Sequence, residues 1–248
     1  MAGDGPAPAG FSHLGDRLVH QGHVWHVAVG TFQAPDGSEF ERDIVRSPGA
    51  VAAVPLQFDA EGNPSVILVR QYRPPYDRAV VEIPAGMRDV EGEPVVDTIA
   101  RELIEEAGVR SGRLEPLVEF YPSAGMTDSI LHLYLATDLT PTPRDLHGPE
   151  EQAMDVLHVP LHAALDMVLR GEIHDAKTII GLLLVERRLR DGDTSGGGGR
   201  RCCRWRSRSC SPGWPPSAAG RRTRSPRTAA TSPPTPRGSR TRGAHWGP

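Results

Sequence analysis

The sequence predicts a mixed α/β (α+β) fold, a β-sheet sandwiched between helices, and three observations carry that prediction. Short strand-like runs recur along the first two-thirds of the chain. One stretch in their midst, Pro94–Ala107, changes to helical spacing. Two more helical segments, Leu161–Arg170 and Asp175–Arg190, follow the last strand-like run. Strands and helices interleaved in this order argue for a layered sandwich rather than a bundle or a barrel.

Residues 1–16 are rich in Gly, Ala and Pro and are expected to form a loose arm. Residues 17–46 read as a small N-terminal β-subdomain, with Val24-Trp25-His26-Val27-Ala28-Val29 followed by the turn signal Pro35-Asp36-Gly37. The main domain is expected over residues 47–192. It opens with strands at Ala50–Phe58 and Ser65–Gln71, joined by the hairpin-type connection Asp59–Pro64. In the helix that follows, Val95, Val96, Ile99, Ala100, Leu103, Ile104 and Ala107 recur at helical spacing, and Gly108 is a stop signal. Strands return at Leu117–Tyr121, Ile130–Ala136 and Val156–Val159 before the two closing helices.

Residues 193–248 have no period and almost no aliphatic side chains, and a disordered tail rich in Arg, Pro, Ser and Gly is expected there. Two other origins or uses stay open. The chain holds one lysine, Lys177, and the tail consists of residues that GC-rich codons give in a shifted frame, as a frameshifted extension would. Trp205 and Trp214 among arginines would also suit RNA or another polyanion.

The formal net charge of −3 hides an asymmetry, because 12 arginines and no acidic residue fall in 196–248. The body therefore carries 16 basic against 31 acidic residues, a net charge near −15. Such a body is not expected to hold nucleic acid by general electrostatics. Its acidity points instead to carboxylate sites that need cations. All three cysteines (Cys202, Cys203, Cys210) lie in the tail, which fits a reducing, cytoplasmic setting. The first residues lack the basic start and apolar stretch of a signal peptide, and apolar runs such as Ile179–Val185 are too short to span a bilayer.

The chemistry concentrates in Arg101-Glu102-Leu103-Ile104-Glu105-Glu106-Ala107-Gly108-Val109. Glu102, Glu105 and Glu106 share one helix face, opposite Ile99, Leu103 and Ala107. Like charges so spaced cost a few tenths of a kcal/mol each on an exposed helix, and the helix dipole disfavours anions in the last turns. The spacing alone suits a solvated acidic face or a cation site: a divalent cation would reverse that penalty, and hard oxygen donors on a rigid element suit Mg²⁺ or Mn²⁺.

The wider stretch runs from Glu82-Ile83-Pro84-Ala85-Gly86 through Met87–Gly92 and Glu93 to this helix. It resembles the Nudix box, the metal- and diphosphate-binding loop–helix–loop of the Nudix hydrolase superfamily. Glu93 to Val109 are in full register, while six residues rather than the usual five separate Gly86 from Glu93. The extra residue lies in a loop, where it costs little. Glu82–Gly86 and Tyr121-Pro122-Ser123-Ala124-Gly125-Met126-Thr127-Asp128 are similar to segments of the ADP-ribose pyrophosphatase subfamily, as are Pro48–Val51 and Gln71–Arg73.

The resemblance implies a Nudix fold and hydrolysis of ADP-ribose to AMP and ribose 5-phosphate with Mg²⁺, or Mn²⁺, as cofactor. It makes Glu102, Glu105 and Glu106 metal ligands, with the carbonyl of Ala85 as a further one, and Glu105 central to catalysis. Arg101 would brace the carboxylates, and Glu93 would help hold the loop or reach a metal through water. The water-activating base would be Glu151 or, second, Glu150. Arg73, Glu82, Gly86, Gly125 and Met126 are the expected substrate contacts, Arg73 because its fork matches phosphate oxygens. Trp25 or Phe32 could serve as an adenine platform, although either also suits a core position. A homodimer is implied, its N-terminal strands completing the partner's site. Another nucleotide sugar or a dinucleotide as substrate, and a non-catalytic ADP-ribose sensor, are the rival readings.

Overall fold

A computed structural model of the chain describes residues 10–146 and 152–192. Its first element is a three-stranded antiparallel sheet, ordered β1 (Ser12–Gln21), β2 (His26–Gln33) and β3 (Glu39–Arg46). β1 thus begins inside the stretch expected to be a loose arm. All ten of its residues are exposed, so no buried face imposes the alternation by which a strand is read from sequence.

The second sheet has seven strands: β4 (Ala50–Phe58), β5 (Pro64–Arg73), β6 (Arg78–Glu82), β7 (Ala85–Met87), β8 (Val109–Phe120), β9 (Leu131–Pro141) and β10 (Asp155–Pro160). The main path is β10-β5-β4-β9-β8, parallel only between β4 and β9. α1 (Val95–Glu105) covers one face; α2 (Leu161–Leu169) and α3 (Ala176–Arg190) cover the other. β4 shows why both faces are covered. Its Val51 and Ala53 pack with Ile99, Leu103 and Ala107 of the α1 side, while Ala52, Val54 and Leu56 pack with Leu161, Leu182 and Val185. A strand apolar from Ala50 to Leu56 is buried on both sides.

One irregularity of this sheet positions the site. β4 and β5 pair only from Leu56 to Phe58 against Val66 to Pro64, and then diverge. β6 continues along β5 and β7 along β4, so the chain from Glu82 to Ala85 crosses the opening between them. The carbonyl of Pro84 accepts from the Ala53 amide there, at 3.1 Å. This places the loop before α1 beside the helix's polar face. α1 itself ends where Gly108 turns with φ of 66°, a conformation that an L side chain resists.

Candidate active site

Two consecutive backbone positions on β7 meet the carboxylates of α1. The Ala85 amide donates to Oε2 of Glu106 at 2.8 Å. A Cβ on Gly86 would lie 1.9 Å from Oε1 of Glu102 and 2.0 Å from its carboxyl carbon. The Glu102 carboxylate therefore rests against bare backbone, in space that only glycine leaves open. Both contacts follow from β7 being paired to β4 while α1 packs on the same strand.

Arg101 ties the remaining acidic groups together. Its Nη1 donates to Glu102 Oε1 at 2.9 Å and to Glu105 Oε2 at 3.0 Å, and its Nε and Nη2 reach Glu93, each at 3.4 Å. Burial alone would lower the guanidinium's pKa, but Glu93, Glu102 and Glu105 together hold it above its ordinary value. Glu93 also accepts from the Thr98 hydroxyl at 2.8 Å, and its pKa is held down by the bonds from Arg101 and Thr98. Arg101 thus contacts Glu93, Glu102 and Glu105 at once.

Glu106 is a strongly perturbed carboxyl. It is 5% exposed, and burial pushes its pKa up to about 8. The Ala85 amide pulls the other way, the Glu102 charge adds to the rise, and Lys177 and Arg73 offset part of it through space. Its neighbour in space, Glu82, behaves oppositely. Burial would raise Glu82, but two 2.7 Å bonds from Arg73 Nε and Nη2 and an ion pair with Lys177 Nζ bring it below its usual value. Lys177 also donates to Asp175, at 3.0 Å. Asp175 caps α3 by accepting from the Thr178 amide at 2.9 Å, and the Thr178 hydroxyl donates to Asp175 at 2.6 Å and accepts from the Ile83 amide at 2.8 Å. The start of α3 is therefore fastened to the crossing loop by a continuous polar chain.

Of the other expected site residues, Arg73 and its partner Glu82 border the cluster, Arg73 acting on Glu106 through space. Arg73 and Glu82 are paired with each other, through Nε and Nη2 of the arginine. Gly125 and Met126 are exposed on the segment after β8, where the Met126 carbonyl accepts from the Val45 amide at 2.9 Å. No hydrogen bond among the described residues joins them to the carboxylates. Glu150 and Glu151 lie outside the described residues. Trp25 is 54% exposed, and Phe32 stacks with His13 and Phe40 at centroid distances of 4.9 and 5.5 Å.

Three residues that sequence reasoning passed over also matter. Lys177 carried a faint signal as a lysine beside a helix cap. Arg144 carried none, yet its Nε donates to the Glu105 carbonyl at the end of α1 and its Nη1 to the Met154 carbonyl, both at 3.2 Å. A cation there favours a helix terminus that the clustered glutamates disfavour. Arg46 bridges Asp16 of β1, at 2.7 Å, and Asp128 of the segment after β8, at 3.1 Å. It links the two sheets.

The residues fit a hard divalent cation. Among the described residues no trio of His, Cys, Asp or Glu side chains is gathered closely enough to hold an ion as it stands. The reason is visible: a guanidinium nitrogen, itself a cation, sits between Glu102 and Glu105. The donors are oxygens of the kind Mg²⁺ takes, and Glu106 is a buried carboxyl whose ionised form lacks a cation in contact.

The comparisons with known proteins agree with that chemistry. The NUDIX domain model matches residues 47–196. An ADP-ribose pyrophosphatase of Bacillus subtilis is 36% identical over 165 residues, covering 66% of this chain and 86% of that protein. One of Mycobacterium tuberculosis is 36% identical over 175 residues, covering 71% of this chain and 83% of that protein. Among solved structures, an ADP compounds hydrolase superposes with a TM-score of 0.64 at 20% identity, covering 77% of this chain and 99% of that one. This last likeness speaks for the fold. The chain belongs to the Nudix family, and by class it is a Nudix hydrolase.

Proposed function

We propose that the protein hydrolyses the diphosphate of ADP-ribose, in a divalent-cation-dependent reaction that yields AMP and ribose 5-phosphate. The observation that carries the reading is the set Glu102, Glu105 and Glu106, gathered against the backbone of Ala85 and Gly86 and braced by Arg101. The named activity of the Bacillus and Mycobacterium relatives supports ADP-ribose as substrate.

Glu102, Glu105 and Glu106 would hold Mg²⁺, or Mn²⁺ in its stead, with the Ala85 carbonyl as a further donor. A bound ion would neutralise the diphosphate and polarise the phosphorus under attack. Arg101 keeps Glu102 and Glu105 in place. Glu151, or Glu150, is the proposed base that takes a proton from the attacking water. Arg73 holds Glu82 with Nε and Nη2, and its remaining Nη1 is the proposed phosphate donor. Gly86, Gly125 and Met126 are proposed to border the substrate. A cytoplasmic homodimer is part of the same reading. A sensor of ADP-ribose without turnover is the alternative of another class, and the complete carboxylate set weighs against it.

The test is turnover of ADP-ribose with Mg²⁺ in wild type and in Glu105→Gln. Wild-type hydrolysis that falls on the order of 100-fold or more in the variant supports the reading. Wild type inert on ADP-ribose but active on another nucleotide sugar or dinucleotide rejects the substrate. Tight ADP-ribose binding without turnover of any of them rejects the enzyme in favour of the sensor.

A further inference from the structure

Arg73, Glu82, Lys177 and Asp175 form one run of ion pairs that joins β5, β6 and the start of α3. Exposure falls along it. Arg73 is more than a third exposed, whereas Glu82 is almost fully buried and Lys177 and Asp175 are mostly so. Arg73 is therefore the member that can meet a ligand, and Lys177 can act on one only through its neighbours.

The charges decide how it acts. Arg73 spends Nε and Nη2 on Glu82, and these bonds, with Glu106 and Asp175 adding through space, hold its pKa above the ordinary value. A guanidinium so surrounded by carboxylates offers an anion little net attraction. Lys177 changes that sum. Its Nζ donates to Oε2 of Glu82, the same oxygen that Arg73 Nη2 uses, and to Asp175 at 3.0 Å. Two cations against two carboxylates leave the run neutral. Without the lysine it would be an anion lying beside the carboxylates of α1, and a diphosphate would be repelled. We propose that Lys177 is a positioning residue for substrate binding: it takes up part of the Glu82 charge and so keeps Arg73 both oriented and attractive to phosphate through Nη1. The inference rests on the reading of Arg73 as a phosphate donor.

Two neighbouring substitutions should move binding in opposite directions. ADP-ribose kinetics with Mg²⁺ are compared in wild type, Lys177→Met, Lys177→Arg and Asp175→Asn, the last of which keeps a residue able to cap α3. Lys177→Met should raise KM about 10-fold with kcat within about 3-fold of wild type, and Lys177→Arg should restore it. Asp175→Asn removes a negative charge and should lower KM about 2-fold. A lysine with a merely structural part gives no such fall, so an unchanged or raised KM in Asp175→Asn overturns the proposal. So does a folded Lys177→Met whose KM is unchanged. If Lys177→Met does not fold, Asp175→Asn decides alone. If wild type fails to turn over ADP-ribose, the functional reading falls on its own. Calorimetric binding of inorganic diphosphate, with a chelator holding divalent cations away, then decides the proposal independently. Tighter binding by Asp175→Asn than by wild type upholds it, and equal, weaker or absent binding overturns it.

Discussion

At the scale of single residues, the site depends on an atom that is absent. A methyl group on Gly86 would lie 1.9 Å from Oε1 of Glu102, yet the obstacle is the far end of a side chain and not backbone. Gly86→Ala should therefore fold with a melting temperature within a few degrees of wild type. It should nevertheless lose turnover, by about 100-fold, because Glu102 is displaced by about 1 Å or more. A melting scan beside an ADP-ribose assay checks this, and a variant with full activity would refute the close-packed arrangement. Glu106 gives the second residue-scale expectation. Its folded pKa of about 8 stands above the ordinary 4.5, so the folded state keeps a proton that the unfolded chain releases between those values. Without divalent cation this group's contribution to stability is fully present at low pH and declines as pH rises toward 8. Cation binding to its carboxylate then displaces the proton, so Mg²⁺ should bind more tightly as pH rises and release protons below pH 8. Calorimetry in two buffers of different ionisation heat measures that release, and its absence would remove Glu106 from the ligand set. Helix spacing puts three glutamates on one face, and it was the resemblance of the surrounding residues to the Nudix box that singled them out in the sequence. Arg144 and Lys177 were not legible there, since each reaches the site from an element far along the chain.

At the scale of elements, the carboxylate helix works because the sheet beneath it opens. β6 and β7 fill the gap between β4 and β5, and neither was foreseen: they are five and three residues long and interrupted by Pro84, Gly86 and charged positions. The long apolar strands β4 and β5 and all three helices were foreseen within a few residues, because each buries a face that imposes a period. β8 shows the limit. It starts at Val109, eight residues before its sequence-predicted start, and much of it alternates between exposed and half-buried positions. The opening is held from the other side of the sheet by α3, through Lys177, Glu82, Asp175 and Thr178. The Lys177 and Glu82 side chains are 11% and 3% exposed, so removing the lysine leaves a buried carboxylate with Arg73 alone. Lys177→Met should cost about 2–4 kcal/mol, less than a fully orphaned buried charge because Arg73 remains. For a domain of this size that is a fall of roughly 4–16 °C in melting temperature, and Lys177→Arg should recover part of it. Equal stability of Lys177→Met and wild type would show that the polar chain does not hold the loop.

At the scale of the whole molecule, the first sheet poses the largest question. An edge strand such as β1, with all ten residues exposed, presents unpaired backbone groups and side chains on both faces. Leu14, Leu18, Val19 and Trp25 are each at least half exposed, at 50%, 56%, 56% and 54%. Scattered apolar residues need no partner, but four within a dozen positions on one small sheet make a patch of the kind that marks an interface. Sequence reasoning implied a dimer from the family and not from this strand, whose exposure left no periodic trace to read. The body's charge near −15 opposes association between copies, so an interface must gain its affinity from apolar contact and backbone pairing. Light scattering of the proposed homodimer should give twice the 26.8 kDa chain mass at micromolar concentration. Leu18→Glu with Val19→Glu places charge on both faces of β1 and should yield a monomer with an unchanged circular dichroism spectrum, since neither side chain supports the chain's own core. A monomeric wild type, or a double variant that stays dimeric, would remove β1 from any interface. Activity of the resulting monomer then decides whether the partner completes the site. Loss of ADP-ribose turnover in a folded monomer would assign part of the substrate cleft to the second copy. Retained turnover would mean that one chain, from the β1–β2 turn to α3, holds every group the reaction uses.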